Sequence, residues 1–132
     1  MVVGATARLR AGVVSRAGSR QSDGMGLEIR RLDVRRFATD KLQKLTLFET
    51  PRFFCDVYCL EVGQAQKPHR HDASDKVYAV LEGRSRVTVD GEAAELGPGD
   101  AVLCPAGSEH ALENPGPSRA AVLVFMAPHP RP

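Results

Sequence analysis

The sequence predicts an all-β domain, a sandwich or barrel of short strands, and three observations carry that prediction. From Leu27 onward, β-rich runs are punctuated by Gly and Pro at intervals of about ten residues. Asp90 and Gly91 join two such runs as a two-residue hairpin turn, because both central positions of a type I′ turn need positive φ. Helical periodicity is scarce, with at most a short turn around Thr39 to Lys44.

Taken in order, strands are expected over residues 45–49, 53–62, 77–82, 85–89, 93–96, 101–104, 111–113 and 120–126. The Gly97, Pro98, Gly99, Asp100 stretch adds a second tight turn. Residues 128–132, rich in proline, cannot continue a sheet and read as a tail. At the other end, residues 1–24 are rich in Gly, Ala, Ser and Arg and keep no period of 3.6 or 2, so they are expected to be a disordered tail ahead of a barrel spanning residues 25–127. Three origins stay open for that tail: a transit peptide, a flexible extension, or sequence upstream of a natural start at Met25.

A chain of 132 residues suits one domain with its own core. With 42% apolar and 26% charged residues it has ordinary globular composition. Four of the arginines (Arg8, Arg10, Arg16, Arg20) lie in the first 24 residues beside one acid, Asp23, which leaves 14 basic and 15 acidic residues from Met25 onward. A body so close to neutral argues against nucleic acid as the partner, since such binders concentrate basic charge. No run approaches the roughly 18 apolar residues of a membrane span, and Arg8 and Arg10 interrupt any secretory signal. Cys55, Cys59 and Cys104 form no CxxC pair and no even count, which fits a reducing compartment, a cytoplasmic location and burial as small apolar side chains.

His69 and His71 are separated by one residue, so on an extended segment both imidazoles face the same side and can reach one ion. Alone, such a pair is weak evidence. The frame around it is stronger: Gly63, five residues, His69, one residue, His71, then a strand ending at Gly83. A second frame reads Gly99, five residues, Pro105, one, Gly107, two, His110, three, Asn114, and 15 residues separate Gly83 from Gly99.

These paired frames resemble the two motifs of a small single-domain cupin. The resemblance implies a double-stranded β-helix, a jelly-roll-like antiparallel β-barrel. It also implies that His69, His71 and His110 converge inside the barrel on a divalent transition metal ion. Neutral imidazole suits Fe, Zn, Ni, Mn or Cu, so the element is open.

The chain departs from the family pattern at the fourth ligand. Lys76 stands where a glutamate opens the strand to Gly83. Two unit charges about 4 Å apart interact by roughly 4 kcal/mol at an effective dielectric of 20, and a divalent ion doubles that repulsion. Either a three-histidine site keeps open positions, or Lys76 is neutral beside the metal, or no metal binds. Asp75, one residue away, would need a bulge to turn inward, and Asp72 reads as a solvated turn residue. Lys76 has a bland reading, its stem lining the barrel while its ammonium reaches water. In the sharper one it acts as a base or captures an anionic substrate group. Tyr58 and Tyr78 read as core aromatics or as cavity hydroxyls, and Lys76 and Tyr78 are the candidate catalytic residues.

Two functions follow from the resemblance. One is a metal-dependent enzyme of oxygenase or isomerase type acting on a small polar metabolite in the cavity. The other is a non-catalytic module, with or without metal, that holds or senses such a metabolite. The resemblance further implies a homodimer, for which the 53–62 strand is the expected exposed apolar edge.

Overall fold

The computed structural model describes the backbone of residues 8–10 and residues 26–130 in full. Among the described residues there are ten strands: β1 (Arg8–Arg10), β2 (Gln43–Glu49), β3 (Phe54–Leu60), β4 (Ala65–Arg70), β5 (Asp75–Glu82), β6 (Ser85–Val89), β7 (Glu92–Leu96), β8 (Ala101–Cys104), β9 (Glu109–Glu113) and β10 (Ala120–Ala127). They form a six-stranded sheet, ordered β1-β2-β3-β10-β5-β8, facing a four-stranded sheet ordered β4-β9-β6-β7. Every pairing is antiparallel except β1 with β2. This is the double-stranded β-helix that the resemblance implies.

The central strands of the larger sheet bury side chains on both faces. Inward residues of β3, β5 and β10 (Phe54, Tyr58, Leu60, Tyr78, Val80, Val122, Val124, Met126) meet Val87 and Leu112 of the facing sheet in the barrel core. The opposite faces of β2 and β3 (Leu45, Leu47, Val57, Cys59) form a second cluster, closed by Val34 and Phe37 of the segment that precedes β2. That cover explains why β3 is apolar on alternate and intervening positions alike. Cys59 and Cys104 are buried and Cys55 is half-buried, the small apolar role expected of them.

Two glycines set the strand ends. Asp90 and Gly91 have φ of 48° and 85°, the left-handed pair that the β6–β7 hairpin requires. At Gly83 a Cβ would fall 2.2 Å from the Arg119 carbonyl oxygen, so only glycine lets β5 turn this close to the chain entering β10.

The structure corrects several expectations. No helical turn forms over Thr39 to Lys44; β2 begins at Gln43, because Leu42 and Leu45 are drawn to opposite hydrophobic clusters. The 53–62 run is not an edge, since β3 lies between β2 and β10. β4 falls where no strand was expected. Arg8–Arg10 pairs with residues 44–46 of β2 inside a segment expected to be without order; residues 1–7 and 11–25 lie outside the described residues. Beyond β10, the His129 amide donates to the Arg52 carbonyl (2.8 Å) and its ring stands 2.6 Å from Glu49, so His129 is pinned against the β2–β3 turn, while residues 131–132 of the expected tail lie outside the described residues.

Candidate metal centre

The centre is built across the barrel, with histidines from the four-stranded sheet facing a lysine and two tyrosines from the six-stranded one. His69 on β4 lies directly opposite His110 on β9. Toward the start of β4 the pairing slips: Gln66 faces Leu112, so Lys67 and Pro68 together oppose the single Ala111. This bulge is decisive for what points inward. Gln66 and His69 are three apart and in a regular strand would face opposite sides; the extra residue turns both into the barrel. His71 follows just past β4, where its carbonyl accepts the Gly107 amide (2.9 Å) and ties the β4–β5 and β8–β9 loops together.

The three imidazoles converge. One ring nitrogen from each of His69, His71 and His110 lies within 4.8 Å of the others, and the ring centroids stand 4.3 to 5.8 Å apart. The backbone fixes which nitrogen faces the middle. Nδ1 of His69 lies 2.7 Å from the Lys67 carbonyl, and Nδ1 of His110 lies 3.2 Å from the Ser108 carbonyl. A carbonyl oxygen only accepts, so each Nδ1 carries the proton and each Nε2 turns its lone pair to the centre. Nε2 of His110 is buried and has no hydrogen-bond partner.

Burial, and then the nearby Lys76, hold these rings neutral. His69 is pushed down to about 3 and His110 to about 4, and His71 is lowered by the same two causes. Neutral imidazole is the form that binds a metal ion. A buried, unpartnered ring nitrogen among neutral imidazoles therefore fits a transition metal, and His69, His71 and His110 are the residues that would hold one.

Lys76 is inside the barrel, with 1% of its surface exposed, so the reading that sends its ammonium to water is wrong. The cause is its neighbours: Nζ lies 3.2 Å from Nε2 of His69 and 3.3 Å from Oε1 of Gln66, and 5.0 Å from the centre of the Tyr78 ring. Burial, chiefly, brings its pKa down to about 7. Tyr78 is fully buried and donates its hydroxyl to Oε1 of Gln66 at 2.6 Å, and burial pushes that phenol well above its ordinary pKa. Tyr58 lines the same interior, with Nζ of Lys44 at 5.2 Å and Nζ of Lys76 at 5.9 Å from its ring centre. The carboxylates stay out: Asp75 accepts the Ala106 amide at 2.8 Å and is exposed, as is Asp72.

Gln66 is the functional residue that sequence reasoning missed. Its period-2 position points it outward, and only the register slip beside Pro68 could have revealed it.

A double-stranded β-helix with a three-histidine cluster in its interior defines the class of protein. The cupin domain model matches residues 56–126, just over half of the chain, and the protein belongs to that family. A solved protein from Thermus thermophilus, TT1209, is 44% identical with a TM-score of 0.77, covering 79% of this chain and 100% of that one. An uncharacterized protein of Methanocaldococcus jannaschii, MJ1618, is 38% identical over 67 residues, 51% of this chain and 54% of its own length. A 5-nitrosalicylic acid 1,2-dioxygenase from Bradyrhizobium is 36% identical over 76 residues, 58% of this chain and 36% of the dioxygenase. The chain thus spans about half or less of the length of these two curated relatives. Among the described residues no helix is long and apolar enough to cross a membrane.

Proposed function

We propose that this cupin holds a divalent transition metal ion with His69, His71 and His110 and uses it to act on a small polar metabolite inside the barrel. The observation that carries this is the buried, unpartnered Nε2 of His110, aimed at two further neutral imidazoles. An unsatisfied buried donor or acceptor costs about 1–3 kcal/mol, and a bound ion removes that cost. When bound, such an ion supplies Lewis acidity or an oxygen-activating centre. The likeness to a dioxygenase supports the oxygenase side of this reading.

The chain's own residues do the rest. Lys76, with its pKa brought down to about 7, gives or takes a proton at Nζ beside whatever occupies the centre. Tyr78 stays protonated and presents a fixed hydroxyl, held by Gln66. Lys76, Tyr58 and Tyr78 are buried on this side of the centre, which limits the access of water there.

A second reading, a binding or sensing module without turnover, is favoured by Lys76 itself, because it stands where the family places an anionic ligand. Elemental analysis of untagged protein tests the common core of both. Close to one ion per chain, lost on changing any one histidine to alanine, supports the site; stoichiometric metal in all three variants would sink it.

A further inference from the structure

The wall that faces the histidines presents the amine of Lys76 and the hydroxyl of Tyr78, both buried. Lys76 Nζ and the Tyr78 hydroxyl meet at one atom, Oε1 of Gln66 (3.3 and 2.6 Å), so their positions are fixed relative to each other and to His69. Lys44, on the inward face of β2, brings a second cation over the Tyr58 ring. The buried carboxylate of Asp56 lies on the same face of β3 as Tyr58. The hydrogen-bond partners of Lys76 Nζ, Gln66 and His69, are both uncharged. The ligand position that the family fills with a carboxylate from the chain is here lined by Lys76 instead.

We propose that a small organic carboxylate completes this site, with one oxygen directed to the metal held by His69, His71 and His110 and the other accepting a hydrogen bond from Lys76 Nζ, whose place is set by Gln66 and Tyr78. This deepens the metal reading and rests on it. The missing chain carboxylate is supplied by the ligand, and the lysine that repels a bare ion becomes the partner of an anion bound to it. Lysine donates from Nζ in either protonation state, so the recognition needs no particular charge on it. Gln66 and Tyr78 are then positioning residues: Gln66 accepts from Tyr78 Oη and from one N–H of Lys76, which leaves another N–H of the amine for the ligand.

Cobalt(II)-loaded protein tests this, because the visible bands of the ion report any change in its ligands. Malonate is the probe and malonamide, its uncharged counterpart, the control. Malonate should shift the bands saturably and malonamide should not. Lys76→Met should still take up cobalt while binding malonate at least tenfold more weakly. Tyr78→Phe, which keeps the packing of the ring, should do so by a few-fold and covers the case in which Lys76→Met does not fold. Cobalt uptake without a saturable malonate response overturns the carboxylate assignment and leaves the metal site standing. Equal malonate affinity in the wild type and both variants overturns it too. Failure to take up cobalt sinks the metal reading and this one with it.

Discussion

The strands β3 and β4 lie in facing sheets and obey opposite rules. Of the seven residues of β3, six are buried, and its two faces anchor two hydrophobic clusters. β4 has no buried residue, carries Pro68, and slips register at its middle, yet it supplies His69 and turns Gln66 inward. The contrast teaches that this barrel divides its labour by wall. One sheet carries most of the burial that holds the chain folded. The other presents neutral nitrogen donors on a strand that contributes little to the core. Lys76 and Tyr78 are where the division breaks down, because they sit in the stable wall and reach across.

The largest expected effect comes from the stable wall. Tyr58→Ala removes a ring with 1% exposure from the core and should cost about 3–5 kcal/mol in urea unfolding, the usual range for a buried aromatic cut to alanine. His69→Ala or His71→Ala, on the other wall, should leave unfolding within about 1 kcal/mol of wild type in the metal-free protein, since these side chains are only half-buried. Equal losses on the two walls would erase the distinction.

The same contrast governs what could be read from the amino-acid order. β5, β6 and β10 alternate or run apolar between turn residues, and the Asp90-Gly91 hairpin has one good backbone solution, so these were legible. β4 was not, because its inward positions carry Gln66 and His69 rather than apolar side chains, and Pro68 argues against a strand. The histidines were found through the spacing of two motifs, not through strand periodicity. Val34 and Phe37 lie in a segment with no regular period, so their role as a cover for β2 and β3 is a tertiary fact. The burial of Lys76 ran against the general behaviour of lysine, and only the converging Gln66, His69 and Tyr78 account for it.

An intermediate effect is expected with pH. His69 and His110 titrate at about 3 and about 4 in the fold against 6.5 when exposed, so the unfolded chain binds more protons between those values. Metal-free protein should therefore lose stability as pH falls from about 6.5 toward 4, and His110→Ala should flatten that slope. Thermal melts across the range measure it, and an identical slope in the variant would mean that the imidazoles are not held neutral.

The smallest effect concerns β1. Its three residues add one parallel pairing at the edge of the larger sheet, so protein beginning at Met25 should melt within about 5 °C of the full chain, or on the order of 1 kcal/mol. A larger fall would show that the N-terminal residues stabilise the barrel by more than this one edge pairing.

The meeting of the two walls is tested most directly by titrating zinc into metal-stripped wild type and Lys76→Glu at one pH. With Nζ of Lys76 only 3.2 Å from Nε2 of His69, glutamate exchanges a repulsive group for an anionic oxygen donor, and affinity should rise at least tenfold, about 1.4 kcal/mol. Unchanged affinity would contradict the account by showing that Lys76 does not face the ion. A fall would contradict it differently, by showing that the amine supports the site rather than opposing it.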